Sequence, residues 1–292
     1  TIAKVITPRT RAVICVHLGG WPCDMDGIMA LAAKHDFKVI EDCAQAHGAH
    51  YKGRSVGSIG HIGAWSFCQD KIMSTGGEGG MVTTNDENLW RAMWAFKDHG
   101  KSYAAVYERE HPPGFRWLHE TFGTNWRMLE VQAAIGRIQL TRMRDWSRLR
   151  REYLERIWAT GRRYAGLRVP AFRCGSACVT GAQPCALRSG CEHAGYRAYV
   201  YVSPDNLKPG WSRDRIQEEI VARGVPCFTG SCSEVYLEKA FDGTGWRPTE
   251  RLPNARELGD TALAFLIHPT LTQGEIEQTC AAIEAVMAEA SV

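Results

Sequence analysis

The stretch Ser66-Phe67-Cys68-Gln69-Asp70-Lys71-Ile72-Met73-Ser74-Thr75-Gly76-Gly77-Glu78-Gly79-Gly80 joins two predicted strands through a polar turn and a glycine-rich segment. An apolar run at 62–67 predicts a buried strand, and the next strand begins at Gly80. Lys71 lies just past the end of the first strand, where its amine can form a Schiff base with a carbonyl cofactor if its surroundings lower its pKa. Taken alone, a surface lysine before a glycine-rich hairpin is the simpler interpretation.

A βαβ unit is predicted ahead of this stretch. The residues 11–18 form an apolar strand, Asp24 is a good helix N-cap, and the strand at 37–40 runs into Glu41 and Asp42. Ligands of such sheets bind outside the carboxyl ends of the strands. We therefore expect Asp42 to lie where a ligand would be.

The rest of the chain divides at a long helical pattern. Residues 128–164 are helical in period, and this length favours a bend or break. We place a domain boundary there, which gives a large domain at 1–148 and a small C-terminal α+β domain at 149–292. Thr272 and Glu275 predict a capping box for the last helix.

Composition excludes several classes of protein. The 292 residues are 45% hydrophobic, enough for a large core, and the net charge of +3 is spread along the chain. No nucleic-acid patch, membrane span or signal peptide is indicated. Eleven scattered cysteines favour a reducing cytosol, so a cytoplasmic location is expected.

One cysteine-rich segment, at 170–195, has no clear period and is predicted to be an irregular loop. It contains Cys174, Cys178, Cys185 and Cys191, followed by His193. The spacing lacks the paired knuckles of a zinc site, so no metal is predicted, and a zinc module is kept only as a distant alternative.

Four residues are arranged as a possible site. Asp42 ends one strand and Gln45 follows it, while Ser66 ends the next strand and Lys71 lies five residues further on. Each of these residues, taken alone, is equally typical of a helix cap or a turn as of a functional site. Their order and spacing are more specific.

The sequence resembles the DegT/DnrJ/StrS-type family of pyridoxal-phosphate (PLP) sugar aminotransferases. The resemblance is carried by Val39 to Ala49, Ser66 to Lys71, Gly77 to Gly80 and Gly123 to Met128, and it extends to His268-Pro269-Thr270 near the end. It implies an α/β fold of the aspartate aminotransferase type (fold type I), with an incomplete large domain and a small C-terminal domain. Only 170–195 fits poorly.

The resemblance also implies the site. Lys71 would bind PLP covalently and move the proton during transfer, while Asp42 would pair with the pyridine nitrogen. Gln45 would lie beside the ring and Ser66 would bind the phosphate. Family members are homodimers with shared active sites, so Asn125 would reach the phosphate of the neighbouring subunit's cofactor, although an Asn in a turn before a helix is an equally good interpretation.

The expected reaction moves an amino group, from glutamate, to a keto-sugar that is nucleotide-linked, for polysaccharide or antibiotic biosynthesis. The family's Gly-Thr/Ser helix start, which binds phosphate, is not found ahead of His17, so an N-terminally truncated member is expected. A cyclitol aminotransferase, an aminohydroxybenzoate-type synthase and a non-catalytic partner subunit remain alternatives. A PLP-dependent sugar dehydratase is disfavoured, since those members replace the lysine with histidine.

Overall fold

A computed structural model describes residues 2–114, 116–170 and 190–292. Its contacts divide the chain into two compact units. The first unit contains Thr1–Arg144 and Arg173–Ala194, of which 190–194 are described, and the second contains Asp145–Phe172 and Gly195–Val292. The predicted domain boundary near residue 148 stays a prediction.

The first unit is built on a mixed four-stranded sheet. Its elements are β1 (Ala12–Val16), α1 (Met25–His35), β2 (Lys38–Asp42), β3 (His50–Tyr51), β4 (Arg54–Ser55), β5 (Ile62–Ser66), β6 (Gly80–Thr83), α2 (Glu87–Lys97) and α3 (Tyr103–Tyr107). The strand order is β1-β2-β5-β6, in which β1, β2 and β5 are parallel and β6 pairs antiparallel with β5. A separate hairpin joins β3 and β4.

The register of the parallel strands positions the expected site. Val16 pairs with Asp42, and Asp42 pairs with Ala64, so three carboxyl ends meet at one edge of the sheet. The predicted βαβ unit is confirmed, since β1 and β2 pair in parallel on either side of α1 in the chain. Asp24 caps α1 by accepting the Gly27 N–H at 3.4 Å. Apolar residues of α1 and β2 are buried together in this part of the core: Met25, Ile28, Ala32 and Val39.

One long helix, α4 (Glu130–Gly161), continues from the first unit into the second. The sequence predicts a bend or break in it, and the break is not found, because the helix is continuous over 32 residues. Its predicted bounds were also too wide at both ends. Length alone overstated the need for a break, since i to i−4 hydrogen bonding tolerates long helices that pack along their sides.

The second unit is a small α+β structure, as predicted. It contains β7 (Leu167–Arg168), β8 (Ala198–Val202), α5 (Arg213–Ala222), β9 (Cys227–Phe228), α6 (Pro253–Thr261), β10 (Ala262–Phe265) and α7 (Gln273–Ala290). The antiparallel sheet has the order β7-β8-β10-β9. Thr272 and Glu275 form the predicted capping box of α7. The helices α5 and α7 are in contact, and each buries two isoleucines: Ile216 and Ile220 on α5, Ile276 and Ile283 on α7.

Candidate active site

Asp42 is the last residue of β2 and is half-buried. Its Oδ1 accepts the Ala44 N–H at 3.0 Å, and its carbonyl oxygen accepts the His17 N–H at 3.1 Å. The carboxylate is therefore held by its own turn, while the backbone is tied to the end of β1. A fixed carboxylate at a strand end is suited to pair with a cationic ring nitrogen.

Gln45 connects this turn to the segment that follows β1. Its Oε1 accepts the Gly19 N–H at 2.7 Å. Gly19 has φ +66°, a left-handed conformation that favours glycine. Gln45, three residues after Asp42, is therefore hydrogen-bonded to the segment that follows β1.

Ser66 and Lys71 flank a turn at the end of β5. The Ser66 Oγ accepts the Cys68 N–H at 3.3 Å, and the Lys71 N–H donates to the Cys68 carbonyl oxygen at 3.1 Å. The Lys71 side chain is only 17% exposed, and its Nζ lies 3.1 Å from Asp70 Oδ1 in an ion pair. Lys71 is therefore not the solvated surface lysine of the simpler interpretation.

The glycine-rich segment after Lys71 is a tight turn. Gly76 and Gly77 have φ +81° and +144°, and the Phe67 N–H donates to the Gly79 carbonyl oxygen at 2.8 Å. The helix α4 is hydrogen-bonded to the start of this segment, since Gln139 Oε1 accepts the Ser74 N–H at 2.8 Å. The turn thus fixes the backbone that carries Lys71.

Asn125 lies apart from the other four candidates in its contacts. It is exposed, forms a backbone bridge with Asp98, and its Oδ1 accepts the Arg127 Nε at 3.2 Å. These contacts are with Asp98 and Arg127, and not with the other four candidate residues.

A buried hydrogen-bond network next to Asp42 was not identified from the sequence. The Glu41 side chain is fully buried, and its Oε2 lies 3.0 Å from His17 Nε2, which is also fully buried. Backbone N–H groups of Gly57, Ile59 and Gly60 donate to the same carboxylate at 2.6–2.8 Å. Three of its four donors are backbone groups of a distant loop, so no side-chain pattern marks them.

The charge of Glu41 is stabilised by these donors. Burial raises its pKa and is the largest influence, but the His17 hydrogen bond and the three backbone N–H groups together hold the pKa below its ordinary value. His17 Nδ1 accepts the Cys23 N–H at 3.0 Å, so the ring hydrogen lies on Nε2 and points to Glu41. Glu41 therefore anchors both the segment after β1 and the loop at 57–60.

The side chains of His17, Glu41 and Cys43 lie close enough together, within 4.8 Å, to be considered as a metal site. Both His17 nitrogens are already hydrogen-bonded, and Glu41 already accepts from four donors. Metal binding would break these bonds, so the cluster is better explained as a structural network.

The zinc alternative at 174–193 lies mostly outside the described residues, which exclude Cys174, Cys178 and Cys185. Of its described members, Cys191 accepts the Lys52 N–H through Sγ at 3.2 Å, and the His193 ring lies edge-on to Trp21 at 5.2 Å between centroids.

The fold is that of the PLP-dependent transferases of fold type I. More narrowly, the chain belongs to the DegT/DnrJ/EryC1/StrS aminotransferase family, whose profile matches residues 1–284. The predicted resemblance and fold class are thereby confirmed. Members of this family are PLP-dependent aminotransferases.

Three comparisons illustrate the relationship. The aminotransferase structure from Psychrobacter cryohalolentis is 63% identical, with a TM-score of 0.90 over 98% of this chain and 71% of that one. The dTDP-3-amino-3,4,6-trideoxy-alpha-D-glucose transaminase of Streptomyces venezuelae is 32% identical over 98% of this chain and 65% of its own length. The UDP-N-acetyl-3-dehydro-alpha-D-glucosamine 3-aminotransferase of Acidithiobacillus ferrooxidans is 46% identical over 47% of this chain.

The matched residues cover 65% of the length of the Streptomyces relative and 34% of the Acidithiobacillus relative. In the part of the chain that the structure describes, no helix is both long and apolar enough to cross a membrane.

Proposed function

We propose that the chain is a PLP-dependent aminotransferase that moves an amino group from an amino-acid donor, glutamate, to a keto-sugar carried on a nucleotide. The observation that carries the proposal is the placement of Asp42 and Ser66 at the carboxyl ends of neighbouring strands, with the shielded Lys71 on the following turn. Relatives named as dTDP-sugar and UDP-sugar aminotransferases support the substrate class.

The donor set fits PLP in chemical type. A carboxylate suits the protonated pyridine nitrogen, a hydroxyl suits the phosphate, and an amine suits the aldehyde. Asp42, Ser66 and Lys71 supply these three groups, and Gln45 lies on the turn that follows Asp42. When bound, PLP supplies an electron sink for the charge that develops as a proton leaves the donor's α-carbon.

The chain's own residues have separate tasks in this proposal. Asp42 keeps a negative charge beside the ring nitrogen, and the Ala44 N–H keeps that carboxylate oriented. The Lys71 amine accepts and returns the transferred proton. Asp70 accepts from the protonated amine at 3.1 Å, so it holds Lys71 between proton transfers.

We further propose a homodimer with shared active sites, in the cytoplasm. Asn125 is exposed and lies in the segment just before α4, as expected for a side chain that serves a neighbouring subunit. The eight described cysteines are all free thiols, which supports a reducing compartment.

The proposal is tested with PLP and the Lys71→Ala variant. The native chain should take up PLP with a new absorbance band, and borohydride reduction should fix the cofactor on the peptide that contains Lys71. Lys71→Ala should lose both signals and at least about 10³-fold in transfer rate, since it removes the proton carrier. Lys38→Ala, which changes an exposed lysine of β2, is the matched control and should retain all signals.

Fixation of PLP on another lysine, or unchanged absorbance in Lys71→Ala, would contradict the assignment. PLP stoichiometry near zero in the native chain would favour the non-catalytic partner subunit. Parallel assays with keto-sugars and keto-cyclitols separate the sugar aminotransferase from the cyclitol aminotransferase. Formation of an aromatic product would identify the aminohydroxybenzoate-type synthase.

A further inference from the structure

Asp98 is a buried carboxylate beside the segment that carries Asn125, and the proposed function gives it no task. Its side chain is only 10% exposed, with Lys101 Nζ 3.2 Å and Arg127 Nη1 3.4 Å from its Oδ1. Lys97 Nζ lies 3.5 Å from its Oδ2. Burial raises the pKa of Asp98 and is the largest influence, but the three cations together hold the pKa below its ordinary value. The carboxylate therefore stays charged at neutral pH.

The backbone around Asn125 is held independently of this carboxylate. Asp98 and Asn125 form an antiparallel backbone bridge. The two neighbours of Asn125 donate their N–H groups to carbonyl oxygens in the last turn of α2, at 2.7 and 3.0 Å: Thr124 to Phe96 and Trp126 to Lys97. None of these hydrogen bonds uses the Asp98 side chain, so its replacement should disturb side chains more than the path of the backbone.

Arg127 connects the Asp98 carboxylate to the Asn125 side chain. Its guanidinium lies against Asp98 through Nη1 and donates through Nε to Asn125 Oδ1 at 3.2 Å. A guanidinium contains only donors, so this hydrogen bond fixes the amide with its oxygen towards Arg127. The NH2 group of the amide is then directed away from the guanidinium, and it is the end that can donate to a phosphate oxygen.

We propose that Asp98 is a positioning residue for Asn125. Its carboxylate holds Arg127, and Arg127 orients the Asn125 amide so that the NH2 group is presented to the phosphate of the neighbouring subunit's cofactor. This inference rests on the PLP-dependent function and the shared active sites proposed above. It assigns Asp98 an action through Arg127 and Asn125, without a contact of its own with the cofactor.

The sign of the effect separates positioning from the influence of charge alone. Asp98→Asn removes a negative charge beside Lys97, Lys101 and Arg127, so the positive charge of the cluster increases. A more positive potential alone would increase the affinity for the anionic phosphate of PLP. Loss of the amide orientation would decrease this affinity, because the oxygen of the amide cannot donate to phosphate.

The test measures the Kd for PLP of the native full chain and its variants by equilibrium dialysis, without an activity assay. Asp98→Asn should raise the Kd about tenfold, the scale of one lost hydrogen bond to a charged group. Asn125→Ala should raise the Kd at least as much, because it removes the donor itself. The double variant should bind PLP no more weakly than Asn125→Ala alone, since Asp98 acts through Asn125.

Two further variants provide a second route and a control. Arg127→Met removes an exposed guanidinium, and it decides the question if Asp98→Asn does not fold. It should raise the Kd in the native background and have no effect in the Asn125→Ala background, whereas an effect of charge alone would persist there. Asp26→Asn, which removes the exposed partner of Lys52 in the same unit, should change the Kd less than about twofold.

The outcomes distinguish this inference from the proposed function. An unchanged or lowered Kd in folded Asp98→Asn, or additive losses in the double variant, would overturn the positioning role and leave the proposed function standing. Absence of PLP uptake by the native chain would overturn both.

Discussion

At the scale of single residues, Glu41 is the most constrained side chain near the site. It is fully buried, and its carboxylate accepts from His17 and three backbone N–H groups. Removing the charge from such a position leaves donors without an acceptor, which costs more than a surface ion pair contributes. Glu41 therefore contributes to stability, whereas the proposal above gives its neighbour Asp42 a role in binding the cofactor.

We predict that Glu41→Gln lowers the free energy of unfolding by about 3–5 kcal/mol, because an amide cannot accept all four donors. Urea denaturation at pH 7 measures this loss. Glu87→Gln, which removes an exposed charge paired with Arg91, is the control and should cost less than about 1 kcal/mol. Equal effects of the two substitutions would contradict the role assigned to Glu41.

The same residue predicts a pH dependence. The pKa of Glu41 is below its ordinary value in the folded chain, so its stabilising contribution is complete above the unfolded pKa of about 4.3 and is lost as the pH falls through the folded value. In acid titrations of unfolding free energy, Glu41→Gln should therefore show a shallower decline below about pH 4 than the native chain. Parallel curves would show that Glu41 does not titrate in this way.

At the scale of elements, close packing around β5 depends on a glycine. A Cβ on Gly63 would lie 2.5 Å from the Gly57 carbonyl oxygen and 2.5 Å from Thr83 Oγ1. Gly57 cannot move away freely, because its N–H donates to Glu41 and its carbonyl oxygen accepts from Thr83 Oγ1. The strand that ends at Ser66 is thus held closely between the loop at 57–60 and β6.

We predict that Gly63→Ala destabilises the chain by about 1–3 kcal/mol, as overpacked substitutions do. Gly274→Ala is the matched control. Its Cβ would meet only Thr272 Oγ1 at 3.9 Å, in the first turn of α7, so the change should be neutral or stabilising by up to about 1 kcal/mol. Thermal melts of both variants give the comparison, and destabilisation by Gly274→Ala alone would refute it.

Local chemistry explains which elements could be predicted. Asp24 and Thr272 accept backbone N–H groups as the expected helix caps. The predicted apolar strand at 11–18 forms as β1, but it lies at the edge of the sheet and leaves Ile14 and Val16 exposed. The helices α3 and α6 were missed, since α3 has only five residues and α6 lies in a polar stretch. The antiparallel direction of β6 depends on the turn at 76–79, whose conformation the glycines permit but do not specify.

The candidate site was predictable to a similar degree. Strand ends place acidic and hydroxyl groups at one edge, so Asp42 and Ser66 could be identified from pattern and resemblance. The Glu41 network could not, because its backbone donors lie 16–19 residues away in sequence and have no side-chain signature.

At the scale of the whole molecule, residues 190–194 complete the first unit from a distant part of the chain. The His50 N–H donates to the Glu192 carbonyl oxygen at 3.0 Å, and the Gly53 N–H donates to the Gly190 carbonyl oxygen at 2.7 Å. Ala194 donates in turn to the Gly20 carbonyl oxygen at 2.9 Å. The hairpin β3–β4 is therefore stabilised by a segment far along the sequence.

We predict that a polypeptide of residues 1–148 exchanges the amide hydrogens of His50 and Gly53 faster than the full chain does, because their acceptors are absent. Hydrogen exchange with mass spectrometry measures this difference, and the amides within α1 serve as the internal reference. Unchanged protection of the hairpin would show that these hydrogen bonds contribute little to its stability.

The division of the chain into units also has a topological consequence. Because each unit is assembled from two separate stretches of sequence, the polypeptide passes between the units three times. One proteolytic cut therefore cannot yield two fragments that each hold a complete unit. One of the crossings, at Arg144 and Asp145, lies inside α4, where cleavage would have to interrupt helical hydrogen bonds rather than an exposed linker.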